Sequence, residues 1–282
     1  MQKKEEIKEY NFLVLIDFSD EAYIALKYVI SLAKEMGGSI QLFHVADMEK
    51  VTKSTNAIVI KQDIDEEGDK IKEKLKAIVE IIVAEGIAVT YEYSFGNYKD
   101  QIKNQIDFYN PDITIIGRRA IGSNRLGKVT NFLLNKNMGC VLIVSNSELF
   151  SSTTNISVAC NKHTLDKSNL NMVHSLDNSV APPLSIINIL NNAEQEQEVQ
   201  FTHAVEHFKK GKEKFKFSYP VNLNITEGLI EHIVQENIEL LCIGRGKGAK
   251  CILNRIFAKE STTASIVAKV NVPVLILGNK KP

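Results

Sequence analysis

The 282-residue sequence predicts an α/β protein made of two tandem doubly wound domains, each built on a five-stranded parallel sheet. Three observations predict it. Short apolar runs alternate with amphipathic helical stretches along the whole chain. The runs are nearly continuous in Val, Ile and Leu, as strands covered on both faces require. The same order of runs also occurs twice: PDITIIG, ending at Gly117, returns as IELLCIG, ending at Gly244, and VLIV from Val141 returns as VLIL from Val274.

In the first half, Asn11 to Ile16 reads as a strand, Asp17 follows it, and Ser19 caps a helix whose apolar positions are Ala22, Leu26, Val29 and Ala33. Ser39 to Ala46 is a second strand. The next helix has Ile64, Ile71, Leu75, Ile78 and Ile82 on its core face and ends at Gly86. Ile87 to Tyr93 is a third strand, followed by a helix from Asp100 to Tyr109. Asn110-Pro111 stops that helix, because proline disfavours the helical region in the residue before it. Asp112 to Ile116 is the fourth strand, a helix carries Phe132 and Leu133, and Val141 to Val144 is the fifth strand.

The second half repeats the order with strands at Ile156 to Cys160, Leu184 to Leu190, Phe215 to Val221, Leu240 to Ile243 and Val274 to Leu277. The polar run Ser145 to Asn155 reads as a linker. The boundary near Ser151 gives domains at 1–150 and 151–282. One large doubly wound sheet is the alternative, but it would not need the same Gly-ended strand and late apolar strand twice.

Lys+Arg and Asp+Glu both number 34, so no whole-protein field draws in nucleic acid or an anionic membrane. Met1 to Tyr10 is rich in lysine and glutamate and has no apolar leader segment, and no run approaches the ~18 apolar residues of a membrane span, so a cytoplasmic location is expected. Cys140, Cys160 and Cys242 lie in apolar strand-like runs and Cys251 in a Gly/Lys-rich loop, with no CxxC spacing. That pattern suits a reducing compartment.

LVLIDFSDEA at 13–22, LFHV at 42–45 and the block from Gly117 to Val144 resemble the universal stress protein family, and the resemblance covers nearly the whole chain, twice. It implies a five-stranded parallel sheet per domain. In nucleotide-binding members it implies a loop of Gly, two residues, Gly, nine residues, Gly and Ser/Thr at the carboxyl ends of the strands, where backbone amides at a helix N-terminus hold phosphate. Carried onto this chain, the resemblance places Asp17 toward a ribose and the Val45 backbone near a base. Gly117, Gly127, Lys128, Val129 and Thr130 then surround the phosphates of ATP or AMP, with Mg²⁺ accompanying the nucleotide.

The departures are specific. Ala120 stands at the second glycine, Lys128 replaces the Ser/Thr, and nine residues separate Gly117 from Gly127 where the pattern needs twelve. Lys128, Arg118, Arg119 and Arg125 could supply positive charge instead. In the second half, Gly244, Ser261 and Thr263 match, but Asn161 takes the aspartate position, Lys247 the second glycine and Glu260 the late glycine. A carboxylate there repels phosphate, so this half reads as a degenerate copy.

Competing signals are weaker. Gly122 to Val129 approaches a P-loop but fails at Val129, which cannot ligate Mg²⁺. GRGKG from Gly244 has the wrong spacing for a dinucleotide loop. His203 and His207 lie four apart with Glu206 beside them but have no third metal ligand, and Phe215 and Phe217 among lysines alternate as a strand's inward face does. No nucleophile is paired with a base, and His44 reads as a packed histidine at a sheet end.

The expectation is therefore a regulatory or ligand-sensing protein, with at most slow ATP hydrolysis. Its two domains pair through Val141 to Val144 and Val274 to Leu277 as a pseudo-dimer, and a dimer of such chains is compatible with this. The alternative is an interaction scaffold that binds no nucleotide and uses the altered loops for partner contact, with the protein partner unknown.

Overall fold

A computed structural model of the chain describes residues 9–48, 56–118, 126–136, 139–145, 148–159, 168, 170–189, 215–218, 220, 222, 224–245 and 262–279. The first half runs β1 (Tyr10–Leu15), α1 (Asp20–Met36), β2 (Gly38–Ala46), α2 (Ala57–Ala84), β3 (Val89–Phe95), α3 (Tyr98–Tyr109), β4 (Ile113–Gly117), α4 (Lys128–Asn135) and β5 (Cys140–Val144). The second runs β6 (Ile156–Ala159), α5 (Asn171–Ser179), β7 (Leu184–Ile187), β8 (Phe215–Ser218), α6 (Ile225–Gln235), β9 (Leu240–Gly244), α7 (Thr262–Lys269) and β10 (Val274–Leu277).

The expected strands are all present, with ends shifted by up to three residues. The helix expected from Asp100 begins earlier, at Tyr98, because the Asn97 side chain caps it by accepting from the Lys99 amide at 2.9 Å. Ser19 caps α1 as expected, accepting from the Ala22 amide. Ile64 is only half buried, whereas Ile71, Leu75, Ile78 and Ile82 are buried.

Strand order is β3-β2-β1-β4-β5-β10-β9-β6-β7-β8. Each half thus forms a five-stranded parallel block of the same order, outermost strand to seam. The blocks meet where β5 and β10 pair antiparallel, Ile143 opposite Val274, Leu142 opposite Leu275 and Val141 opposite Ile276. The two sheets expected as separate units are therefore hydrogen-bonded into one sheet of ten strands. The expected pairing edges are the cause, since joining them leaves no open edge at the centre.

Side chains alternate between two apolar faces, the period-2 consequence of the pleat. Phe12, Val14, Leu142, Cys242 and Leu275 share one core with α1, α2 and α5, while Leu13, Leu15, Val141, Leu241 and Ile276 share the other with α3, α4, α6 and α7. Cys140 and Cys242 are buried in the strands and are not joined in a disulfide. Phe215 and Phe217 pack against the first core, as their alternation predicts.

The halves also repeat in detail. Asn110 and Asn237 both have positive φ, 48° and 50°, immediately before the fourth strand of each block. Asp112 accepts from the Asn11 amide at 3.0 Å, and Glu239 accepts from the Asn155 amide at 2.8 Å. The Ser145 to Asn155 connection is less free than its composition suggests. Phe150 is 2% exposed, packs edge-on against Tyr28, and its amide donates to Ser31 Oγ at 3.0 Å. Among the described residues no helix is long and apolar enough to cross a membrane.

Two outcomes follow from this packing. Leu142 is 1% exposed and paired on both sides, by Ile115 and Leu275, so Leu142→Ala should lower the unfolding free energy in urea by about 2–5 kcal/mol. His232 is 5% exposed, its Nε2 lies 3.1 Å from Ser157 Oγ, and burial lowers its pKa from the ordinary 6.5; Glu236 opposes that shift and Lys216 adds to it. The folded chain then binds this proton less readily than the unfolded chain. Its stability contribution is full above pH 6.5 and is lost as pH falls below that value through the folded pKa. Urea titrations across this range should show a flatter pH dependence for His232→Gln than for the native chain.

Candidate functional site

A cleft of about 680 Å³ opens at the carboxyl ends of β1 and β4, the place where neighbouring loops of a parallel sheet diverge. Asp17, Val45, Gly117, Gly127, Lys128, Val129 and Thr130 all line it. Sequence positions spread over more than a hundred residues therefore converge on one cavity of the size that holds small ligands.

Asp17 stands just beyond β1. Its Oδ1 accepts from the Ser19 amide at 3.1 Å and from the Ser19 hydroxyl, which ties the carboxylate to the start of α1. Behind it, Phe18 has a φ of 61°, and its ring packs on His44 with centroids 4.6 Å apart, under the Lys74 ammonium. His44 Nδ1 lies 2.7 Å from the Ile16 carbonyl. Burial lowers the His44 pKa, against the opposing effect of that hydrogen bond, so the neutral ring donates to Ile16 and holds the turn. The expected packed histidine thus fixes the residues on either side of Asp17, Ile16 and Phe18. Asp17 also borders a second cavity, lined by His44, Glu67, Lys70 and Lys74.

Gly117 ends β4 where α1 comes closest. A Cβ there would lie 2.2 Å from the Glu21 carbonyl oxygen and 2.9 Å from the Ala22 nitrogen. The glycine is thus required by helix packing as well as by any ligand. Gly127 is different, since an added Cβ would meet only Thr130 Oγ1, at 3.8 Å. Gly127 occupies the N-cap of α4 without a side-chain cap, so the first amides of this helix keep their capacity to bind an anion in the cleft.

Charge in the cleft is divided. Asp17 and Glu21 lie at the start of α1, Lys128 at the start of α4 and Arg118 just past β4. Phe43, Tyr98, Ile102, Ile116 and Leu126 supply apolar lining. Tyr98 is positioned by its edge contact with Phe132 of α4, 6.2 Å between centroids. Sequence reasoning missed Glu21, Tyr98 and Ala268. Ala268 belongs to α7 of the other half, and no local signal could have indicated it.

Arg118 does not stand free for a phosphate as expected. It is 7% exposed, and its Nη2 donates to the Val270 carbonyl at 2.8 Å, just past the end of α7. In the second half, Gly244 ends β9 and Thr263 lies in the first turn of α7, but neither lines this cleft. Ser261, Asn161, Lys247, Glu260, Arg119, Ala120, Arg125, His203 and His207 lie outside the described residues. Among the described residues, no three His, Cys, Asp or Glu side chains are grouped to hold a metal ion.

The universal stress protein family model matches residues 10–145. A curated universal stress protein of Synechocystis sp. is 22% identical over 146 residues, which cover 47% of this chain and 95% of the relative. A universal stress protein from Archaeoglobus fulgidus DSM 4304 superposes with a TM-score of 0.74 at 19% identity, covering 95% of this chain and 98% of that one. A functionally unknown protein from Pseudomonas aeruginosa PAO1 superposes at 0.65 and 12% identity, covering 97% and 94%. At these identities the solved structures establish the fold alone, and they do so across both halves. Residues 10–145 of this chain thus match the universal stress protein family in sequence, and both halves share the fold of its solved members.

Proposed function

We propose that this protein is a tandem universal stress-type regulatory protein whose first domain, 1–150, binds an adenine nucleotide as a sensor. Its second domain, 151–282, is a copy whose nucleotide loop has degenerated. The observation that carries the reading is the convergence of Asp17, Val45, Gly117, Gly127, Lys128, Val129 and Thr130 on one cleft, with a carboxylate just before α1 and an ammonium at the start of α4. A nucleotide has hydroxyl donors for the first and phosphate for the second. Its ribose hydroxyls would donate to Asp17, its base would lie against the apolar lining near Val45, and its phosphates would meet Lys128 and the uncapped amides of α4. Mg²⁺ would enter with ATP. The Ser19 hydroxyl is hydrogen-bonded to Asp17 and Ser19 also caps α1, which gives this pair a structural role at the helix start; in this reading occupancy of the cleft is the signal and turnover is at most slow.

The tandem reading is supported by the repeated strand order, the two left-handed asparagines and the matched Asp112 and Glu239 contacts. The scaffold reading draws on the shortened interval between Gly117 and Gly127 and on Lys128 in place of a hydroxyl.

The two readings separate on purified protein. Heat release should yield adenine absorbance and mass, and equilibrium titration should show ATP or AMP binding. Gly127→Ala, which has room, should bind as the native chain does. Gly127→Glu should weaken binding by about a hundredfold, because a like charge placed against phosphate costs several kcal/mol. No adenine and no affinity would leave the scaffold; an affinity that Gly127→Glu leaves unchanged would place the ligand elsewhere.

A further inference from the structure

Two arginines follow the repeated glycines, Arg118 after Gly117 and Arg245 after Gly244, and each crosses the seam into the opposite half. Arg118 Nη2 donates to the Val270 carbonyl at the end of α7. Arg245 does more. Its Nη1 donates to the carbonyls of Leu133, Leu134 and Lys136 at 2.9, 3.0 and 2.7 Å, and its Nη2 to Gly139 at 3.0 Å. Leu133 and Leu134 belong to the last turn of α4, whose carbonyls lack helical partners, Lys136 is its C-cap and Gly139 lies just beyond; a cation at that end also matches the helix dipole.

The other end of the same short helix is the Gly127-Lys128 edge of the cleft, held to the preceding chain by Asn131 Nδ2 on the Leu126 carbonyl at 3.0 Å. With eight residues, α4 has little stability of its own, so what grips its carboxyl end fixes where its amino end sits. The second half reaches the cleft at two further points. Ala268 of α7 lines it directly, and Arg118, which also lines it, is anchored on α7.

We propose that the second half of the chain controls the geometry of the first-half cleft and, through it, ligand affinity. Arg245 is the positioning residue that holds α4 from its carboxyl end, and α7 is the wall against which Arg118 is set. The degenerate half is then a regulatory part of the working site, because rearrangement at the seam moves α4, Arg118 and Ala268 together. Reciprocally, an anion at the amino end of α4 strengthens the grip of Arg245 at the other end, so occupancy is transmitted across the seam. The affinity part of this inference rests on the nucleotide reading of the cleft; the positioning part does not.

The test uses the full chain with Arg245→Ala, Arg245→Lys and Leu275→Val. Leu275 lies at the same seam but on the opposite sheet face from α4, so its variant loosens the join without touching the helix. Amide exchange of Asn131 to Asn135 should accelerate about tenfold in Arg245→Ala, as loss of charge-assisted hydrogen bonds predicts. It should recover most of the difference in Arg245→Lys and remain at the native rate in Leu275→Val. ATP affinity should fall by about the same factor in Arg245→Ala and recover in parallel in Arg245→Lys. Unchanged exchange in Arg245→Ala overturns the proposal, as does equal acceleration in Leu275→Val, or native ATP affinity in a variant whose exchange has accelerated. If the native chain binds no ATP, the nucleotide reading falls, and exchange alone decides whether Arg245 positions the cleft helix.

Discussion

The antiparallel pairing of β5 with β10 is the constraint on which the rest of the structure depends. A parallel five-stranded block ends on each side with unpaired backbone groups, and the two blocks remove one such edge each by joining. The strands cross closely enough that a Cβ on Gly278 would lie 2.9 Å from the Gly139 carbonyl carbon, and the Gly278 amide reaches Cys140 Sγ at 3.3 Å. Glycine is needed there for approach. Around that crossing, Val141, Leu142, Ile143, Val274, Leu275 and Ile276 are all buried, so the seam belongs to the hydrophobic interior of both faces. The outer strands differ. β3 and β8 are only partly buried and carry Glu92 and Lys216, charged side chains of the kind that discourage further edge pairing.

Much of this was legible in the sequence because it is local. The Val141 to Val144 and Val274 to Leu277 runs announced themselves by composition, Asn110-Pro111 by backbone restriction, and Ser19 by its capping chemistry. What composition could not supply was direction and continuity. Nothing in VLIV or VLIL states whether the two strands lie antiparallel in one sheet or separately in two. That is decided by the geometry of the two blocks, whose α4 and α7 must share one face while α1 and α5 share the other. Likewise the serine-rich connection hid one residue, Phe150, whose burial against Tyr28 makes the linker part of the core.

The cleft was legible to the extent that one half builds it. Asp17 and Gly117 lie where the chain leaves the strands and Gly127 where it enters α4, and a parallel sheet dictates where such segments converge. The reading of Arg118 as a spare positive charge was physically incomplete. An arginine beside a cleft and beside the free carbonyl of a neighbouring helix end binds the carbonyl that is always present. Gly117 shows the complementary point. A glycine that resembles a ligand loop is also demanded by the 2.2 Å approach of the Glu21 carbonyl to any Cβ, so its presence does not by itself argue for a nucleotide.

That distinction separates two demands on the same fold. The seam uses an arginine after the fourth strand and an apolar fifth strand, and these recur as Arg118 with Val141 to Val144 and as Arg245 with Val274 to Leu277. The proposed nucleotide site requires a carboxylate after the first strand and a small residue at the helix start. These occur in the first half as Asp17 and Gly127, but the second half has Asn161 and Glu260 at the corresponding sequence positions. Residues serving the join are thus repeated where residues serving the ligand are not. A chain under the first demand alone would keep both halves folded and paired with either ligand loop altered. Divergence of the second ligand loop therefore costs the join little.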